Sequence, residues 1–146
     1  MRLPLLDSAI ALAITLLAAA LPSLANEQLW STLKGGGLVV LMRHAITTPG
    51  VGDPPGMKVD DCSTQRNLTE EGRRHAKLIG EAWRAHGIQV GKVMSSPMCR
   101  CLETARLAFG RVDEFPPVTN ARTESDMPRQ VREMRQVASE KTAAPT

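Results

Sequence analysis

"VGKVMSSPMCRCLETARLAFG", Val90 to Gly110, runs from a short apolar segment through Ser95-Ser96-Pro97 into a pattern of helical residues. Val90 to Met94 is apolar apart from Gly91-Lys92 and reads as a short strand. Ser96-Pro97 reads as a helix cap followed by a first helical residue, and Phe109-Gly110 closes that helix. A strand running straight into a helix is half of a strand-helix repeat, so the upstream chain is expected to carry the same alternation.

It does. Thr69 is placed to cap a helix whose first turn holds Glu70 and Glu71, and Ala76, Ile79, Ala82 and Trp83 recur at helical spacing until Gly87. Further upstream, Leu38 to Met42 is a continuous apolar run of the kind that fills a parallel strand covered on both faces. Between these, Thr47 to Arg66 is rich in proline and glycine and reads as a loop. Asn26 is placed to cap a short helix through Lys34, ended by Gly35-Gly36-Gly37. The order helix, strand, loop, helix, strand, helix predicts an α/β domain with a parallel sheet. After Pro117 the pattern thins to one helix with Val131, Met134 and Val137 on its apolar stripe.

The 146 residues, 42% of them hydrophobic, suit one globular domain. The net charge is +3, without a lysine/arginine run, and aromatic residues make up only 3%. Neither a basic stripe nor a set of stacking platforms is present, so no nucleic-acid partner is expected. Residues 1–25 read as a secretory signal. Arg2 opens it, Ala9 to Leu21 is uncharged and apolar, and Ser23 and Ala25 are small residues at the cleavage positions. The expected mature domain is 26–146, secreted or periplasmic, with no stable membrane insertion once the signal is cut. The apolar run is shorter than the roughly 20 residues of a spanning helix.

An oxidising destination bears on Cys62, Cys99 and Cys101. One disulfide is expected, joining Cys62 to Cys99 or to Cys101 and pinning the glycine/proline-rich loop beside the helix opened by Pro97. Cys99-x-Cys101 lacks the paired ligand clusters of a structural zinc module, and neither metal nor cofactor is called for.

Ligands of open parallel sheets bind outside the carboxyl ends of the strands. Arg43-His44 follows the first predicted strand and Arg100 lies in the first turn of the helix after the second. Two guanidinium forks and a helix N-terminus make a site for phosphate or another oxyanion. A histidine among such charges stays neutral and nucleophilic at neutral pH.

"LMRHAITT" resembles the Arg-His-Gly/Ala signature of the histidine phosphatase superfamily, the phosphoglycerate-mutase-like fold. "NLTEEGRRHA" is similar to its leucine-threonine-x-x-glycine helix start, and "SSPMCRCLETA" to its Ser-Ser-Pro-x-x-Arg-x-x-x-Thr-Ala segment. The blocks stand in order between Leu38 and Gly110, and secreted bacterial members with a cysteine-containing loop look nearest. The resemblance implies a three-layer α/β/α sandwich with a mostly parallel sheet. It also implies metal-independent phosphomonoester hydrolysis through a phosphohistidine at His44. Arg43 and Arg100 would be catalytic phosphate ligands, with Thr47 as a hydroxyl at the pocket edge. The partner would be a phosphorylated small molecule or other phosphate-bearing ligand.

The family carries a second catalytic histidine on a late strand, whereas the remaining histidines here are His75 and His86, on the helical stretch after Thr69. The sequence therefore predicts a domain incomplete at its C-terminal end, with impaired turnover. Its rivals are a non-catalytic pseudophosphatase that binds a phosphate ligand, and a non-functional gene remnant. Glu124 and Asp126 lie in roughly the region of the family's proton donor without a motif to fix them, and Arg66 and Glu103 are candidates to touch the pocket.

Overall fold

The computed structural model describes residues 26–119 and 124–140. The expected signal, residues 1–25, lies outside the described residues. Two compact units divide at Gly36 and Gly37. In the first, residues 26–34 form helix α1, which therefore includes Asn26 instead of being capped by it. The amides of Gly35 and Gly36 close its end on the carbonyls of Ser31 and Leu33.

The second unit is built on α2 (Glu70–Ala85) and α3 (Cys99–Phe109). Thr69 caps α2, its hydroxyl accepting from the Gly72 amide at 3.0 Å. Gly87, at φ +64°, takes the chain away after the last turn. The face of α2 that packs is narrower than the spacing of its large apolar residues predicts. Gly72, Ala76 and Gly80 are its buried residues, and Ile79, Ala82 and Trp83 are only half-buried. The cause is backbone proximity: a Cβ on Gly80 would stand 2.0 Å from the Ala108 carbonyl oxygen of α3, and one on Gly72 2.0 Å from the Ile46 oxygen. Trp83 closes the far end of the helix pair edge-on against Phe109, with ring centroids 5.5 Å apart. A small core of Ala45, Leu68 and Ala76, with Leu107 against it, sits where the chain after His44 meets α2.

The parallel sheet has two strands among the described residues, β1 (Met94–Ser95) and β2 (Asp113–Glu114). The ladder is continued by the Asp113 amide on the Val93 carbonyl and the Phe115 amide on that of Ser95. The strand expected over Val90 to Met94 is thus limited to its end. Its partner stops at Phe115-Pro116-Pro117, where proline has no N–H to donate. The pair β1–α3–β2 keeps the α/β class and supplies a strand after Gly110 that the sequence did not announce.

Leu38 to Met42 is a correction. Among the described residues these join no ladder, and they are 45–75% exposed, Leu41 most of all. An apolar run favours burial, but a strand exists only where a neighbour takes its N–H and C=O groups, and among the described residues β1 pairs with β2 instead. The start of α3 is a second correction. It begins at Cys99, not at Pro97, and its N-cap Met98 makes no side-chain cap bond. Ser96 accepts from the Met98 amide at 3.3 Å and meets the Thr119 hydroxyl at 2.9 Å, which leaves Pro97 in a bend. The far end follows expectation, with Gly110 left-handed at φ +73°. Helix α4 (Met127–Ser139) buries none of its residues fully, in keeping with its thin stripe. No helix among the described residues is long and apolar enough to cross a membrane.

Candidate active site

His44 emerges from the irregular segment before α2 and is held on both sides. The Ala45 amide donates to the Thr104 hydroxyl at 3.0 Å, and that hydroxyl donates to the Arg100 carbonyl at 2.7 Å. On the other side the Thr69 amide donates to the Ile46 carbonyl at 3.1 Å, and Thr47 bridges to Leu68 in antiparallel fashion. The chain around His44 is therefore fixed to the starts of both helices without belonging to a sheet.

The imidazole Nδ1 lies 2.7 Å from the Ala45 carbonyl oxygen. A carbonyl only accepts, so Nδ1 carries the hydrogen and the neutral ring presents its lone pair on Nε2. Partial burial pushes the pKa of His44 down. The bond to Ala45 opposes this, while the positive charges of Arg100, Arg43 and Arg66 lower it further. Three arginines, not two, act on the ring.

Arg43 is exposed. Arg100 is largely buried and donates from Nη1 to Asp53 Oδ1 at 2.8 Å. The same oxygen accepts the Arg66 amide at 3.0 Å, and Arg66 Nη1 donates to the Val51 carbonyl at 2.7 Å. Burial pushes the Asp53 carboxyl up, but the Arg66 amide and the Arg100 guanidinium outweigh it and hold the group below its ordinary value. The Nε atoms of Arg66 and Arg100 are buried and have no hydrogen-bond partner among the described residues. Unsatisfied charged donors are costly, and an oxyanion is the group that would satisfy them.

At the N-terminus of α3 one backbone amide is already engaged. This first amide, that of Cys99, donates to Gln65 Oε1 at 2.9 Å. The same buried glutamine spends its amide on the carbonyls of Lys58 and Val59, at 2.9 and 2.8 Å. A disulfide joins Cys62 to Cys99 beside this contact, and Cys101 is free and half-buried. Burial pushes the Cys101 thiol up, which makes it a poor nucleophile. The loop before α2 is thus fastened to the helix bearing Arg100 by one covalent and several polar links.

Other candidates fall elsewhere. Glu103 pairs with Arg73 Nε at 2.7 Å and braces α2 against α3. Asp126 pairs with Arg129 in α4, and Glu124 is exposed. His75 is exposed on α2 and His86 caps its end. Cavities of about 310 and 240 Å³ lie beside Pro116 and α4, not at His44. Asp53, Gln65 and Thr104 join the surroundings of His44 and Arg100 without having been expected there. Thr104 lies within the quoted Ser-Ser-Pro block, while nothing local marks the two loop residues.

The histidine phosphatase superfamily (branch 1) profile matches residues 39–139. The chain belongs to that superfamily. It is similar to "Serine/threonine-protein phosphatase Pgam5, mitochondrial" of Drosophila willistoni, at 32% identity over 83 residues. That match covers 56% of this chain and 25% of the fly protein's length. No solved structure matches.

Proposed function

We propose that the chain binds a phosphomonoester between Arg43, Arg100 and His44, and that His44 is the nucleophile that accepts the phosphoryl group in any transfer it performs. Membership of the superfamily supports phosphoryl transfer as the class of chemistry. The observation that carries the reading to this residue is the Nδ1 contact with Ala45, which leaves Nε2 as the nucleophilic nitrogen. In the first step an N–P bond forms at Nε2 as the bond from phosphorus to the ester oxygen breaks, and the ester oxygen leaves as an alkoxide or phenoxide that takes its proton from water. Water then attacks the phosphohistidine and returns the imidazole with inorganic phosphate. The guanidinium groups of Arg43 and Arg100 bear charge on the equatorial oxygens throughout.

Two observations favour binding over rapid turnover, the pseudophosphatase reading. Asp53, the carboxylate held at Arg100, is kept ionised and is a poor acid for the leaving oxygen at neutral pH. The other histidines stand on α2 or at its end. We therefore expect p-nitrophenyl phosphate to be hydrolysed slowly by the metal-free protein, and His44→Ala to remove what turnover there is. Residual turnover unchanged in His44→Ala would refute the assignment of the nucleophile, and fast turnover would refute the pseudophosphatase reading. We also place the mature protein in an oxidising compartment, outside the cytoplasm, a reading supported by the Cys62–Cys99 disulfide.

A further inference from the structure

Residues 48–64, most of the loop between His44 and α2, bury none of their side chains fully, and the core of Ala45, Leu68, Ala76 and Leu107 takes nothing from them. Among the described residues, the covalent and hydrogen-bonded links from the loop to α3 end on two neighbouring positions. Cys62 is bonded to Cys99, Gln65 Oε1 accepts the Cys99 amide at 2.9 Å, and Asp53 Oδ1 accepts from Arg100 Nη1 at 2.8 Å. The Arg66 carbonyl adds a long contact of 3.5 Å to the same Arg100 nitrogen. Helix α2 meets α3 elsewhere, where Gly80 stands against the Ala108 carbonyl and Arg73 pairs with Glu103. A segment without buried side chains opens at low cost when left to itself, so the covalent link is what keeps this one against the start of α3.

The bridge is also placed to be opened. Cys62 is exposed, in the single turn Cys62–Thr64 that buries none of its residues, so a thiol can approach it from solvent. Cys99 is the first residue of α3 with Arg100 beside it, where the helix N-terminus and a guanidinium favour a thiolate and make Cys99 the better leaving group. We infer that Cys62–Cys99 is a thiol-exchange site, and that its reduction by a dithiol, such as the paired thiols of an oxidoreductase protein, frees the loop and loosens Arg100 while α2 and α3 stay packed. A thiolate of the dithiol attacks the Cys62 sulfur, and the bond to Cys99 breaks with its electron pair leaving on the Cys99 sulfur. The second thiol then attacks the reductant's own sulfur in the mixed disulfide and releases Cys62. The bridge gains two electrons and two protons, and the dithiol ends as a disulfide. For its consequence at Arg100 the inference rests on the phosphate-site reading above, and it adds a means of regulation to that site. The latched form binds the anion, and the reduced form binds it weakly because few molecules hold Arg100 in place at any moment.

The test uses the full chain carrying Cys101→Ser, which leaves Cys62 and Cys99 as its cysteines, oxidised or reduced with dithiothreitol in the cold. Hydrogen exchange read by mass spectrometry should speed up at least about tenfold in residues 51–66 on reduction and stay unchanged in the interior of α2. In equilibrium dialysis the reduced form should bind radiolabelled orthophosphate about tenfold more weakly, and reoxidation should restore both readings. Cys62→Ser should match the reduced form with or without dithiothreitol. Unchanged exchange in 51–66 would show that the polar links hold the loop alone, and would overturn the latch. Exchange rising through α2 and α3 together, with loss of the helical circular-dichroism signal, would make the bridge a staple of the whole unit and overturn it as well. Equal orthophosphate affinity in the two redox forms, with binding lost in Arg100→Ala, would overturn the coupling of the loop to Arg100. Failure of the phosphate-site reading looks different: the oxidised form would bind no orthophosphate, or Arg100→Ala would bind it equally well. The regulatory consequence would then fall, while the exchange result would still decide the thiol-exchange site.

Discussion

Removing the Cys62–Cys99 disulfide should cost the second unit a large share of its stability. The bridge spans 37 residues of sequence. Constraint of a loop of that length in the unfolded chain is worth about 3.8 kcal/mol by the chain-entropy relation. The native contacts beside it add to this. Gln65 supplies the acceptor for the first amide of α3, and freeing the loop releases that cap, worth about 1 kcal/mol. A loss of about 4 to 5 kcal/mol should lower Tm by roughly 15 to 20 °C for a unit of this size. The assay is urea and thermal unfolding, followed by circular dichroism, of Cys62→Ala/Cys99→Ala against its parent. Both carry Cys101→Ser so that the free thiol cannot exchange. Because the effect acts mainly on the unfolded ensemble, the urea m-value should rise as the bridge is removed. A loss below about 1 kcal/mol with an unchanged m-value would refute the reasoning, since the loop would then be held by its polar contacts alone.

Gly80→Ala should destabilise by about 1 to 3 kcal/mol in urea melts, although alanine is the better helix former by about 1 kcal/mol, because the new Cβ meets backbone of α3. A stabilised variant would show that the two helices separate readily. Acidification should destabilise in two stages. The folded pKa of His44 is below the ordinary 6.5, so the unfolded chain binds the extra proton first and stability falls as pH drops below 6.5. The folded pKa of Asp53 is below 3.8, so its contribution is whole above that value and is lost as pH falls through the folded pKa. Unfolding free energies measured across pH should show the first stage vanish in His44→Gln and the second in Asp53→Asn.

Local chemistry was legible wherever one short stretch carries the whole signal. Thr69 caps α2 because its hydroxyl reaches the Gly72 amide, and Gly110 ends α3 because it adopts positive φ; both depend on neighbours within three or four residues. Arg43-His44 and Arg100 were legible as motif blocks. What failed depended on distant partners. Leu38 to Met42 has the composition of a buried strand, but pairing belongs to the neighbour, and β1 spends its ladder on β2. Pro97 looked like a first helical residue until Gln65, 34 positions earlier than Cys99, supplied the acceptor that starts the helix two residues later. Asp53 is an ordinary loop aspartate by its neighbours, and only its 47-residue reach to Arg100 makes it part of the site.

The hydroxyl of Thr104 links the amide after His44 to the carbonyl of Arg100 through two bonds of 3.0 and 2.7 Å. In that relay the hydroxyl acts as a hinge pin between two backbones, so that His44 and Arg100 share one frame of reference. Threonine suits the part because its β-branch restricts χ1 and keeps the oxygen aimed at both partners. Registration of His44 against Arg100 is thereby carried by a side chain of the helix, and does not depend on the length of the sheet.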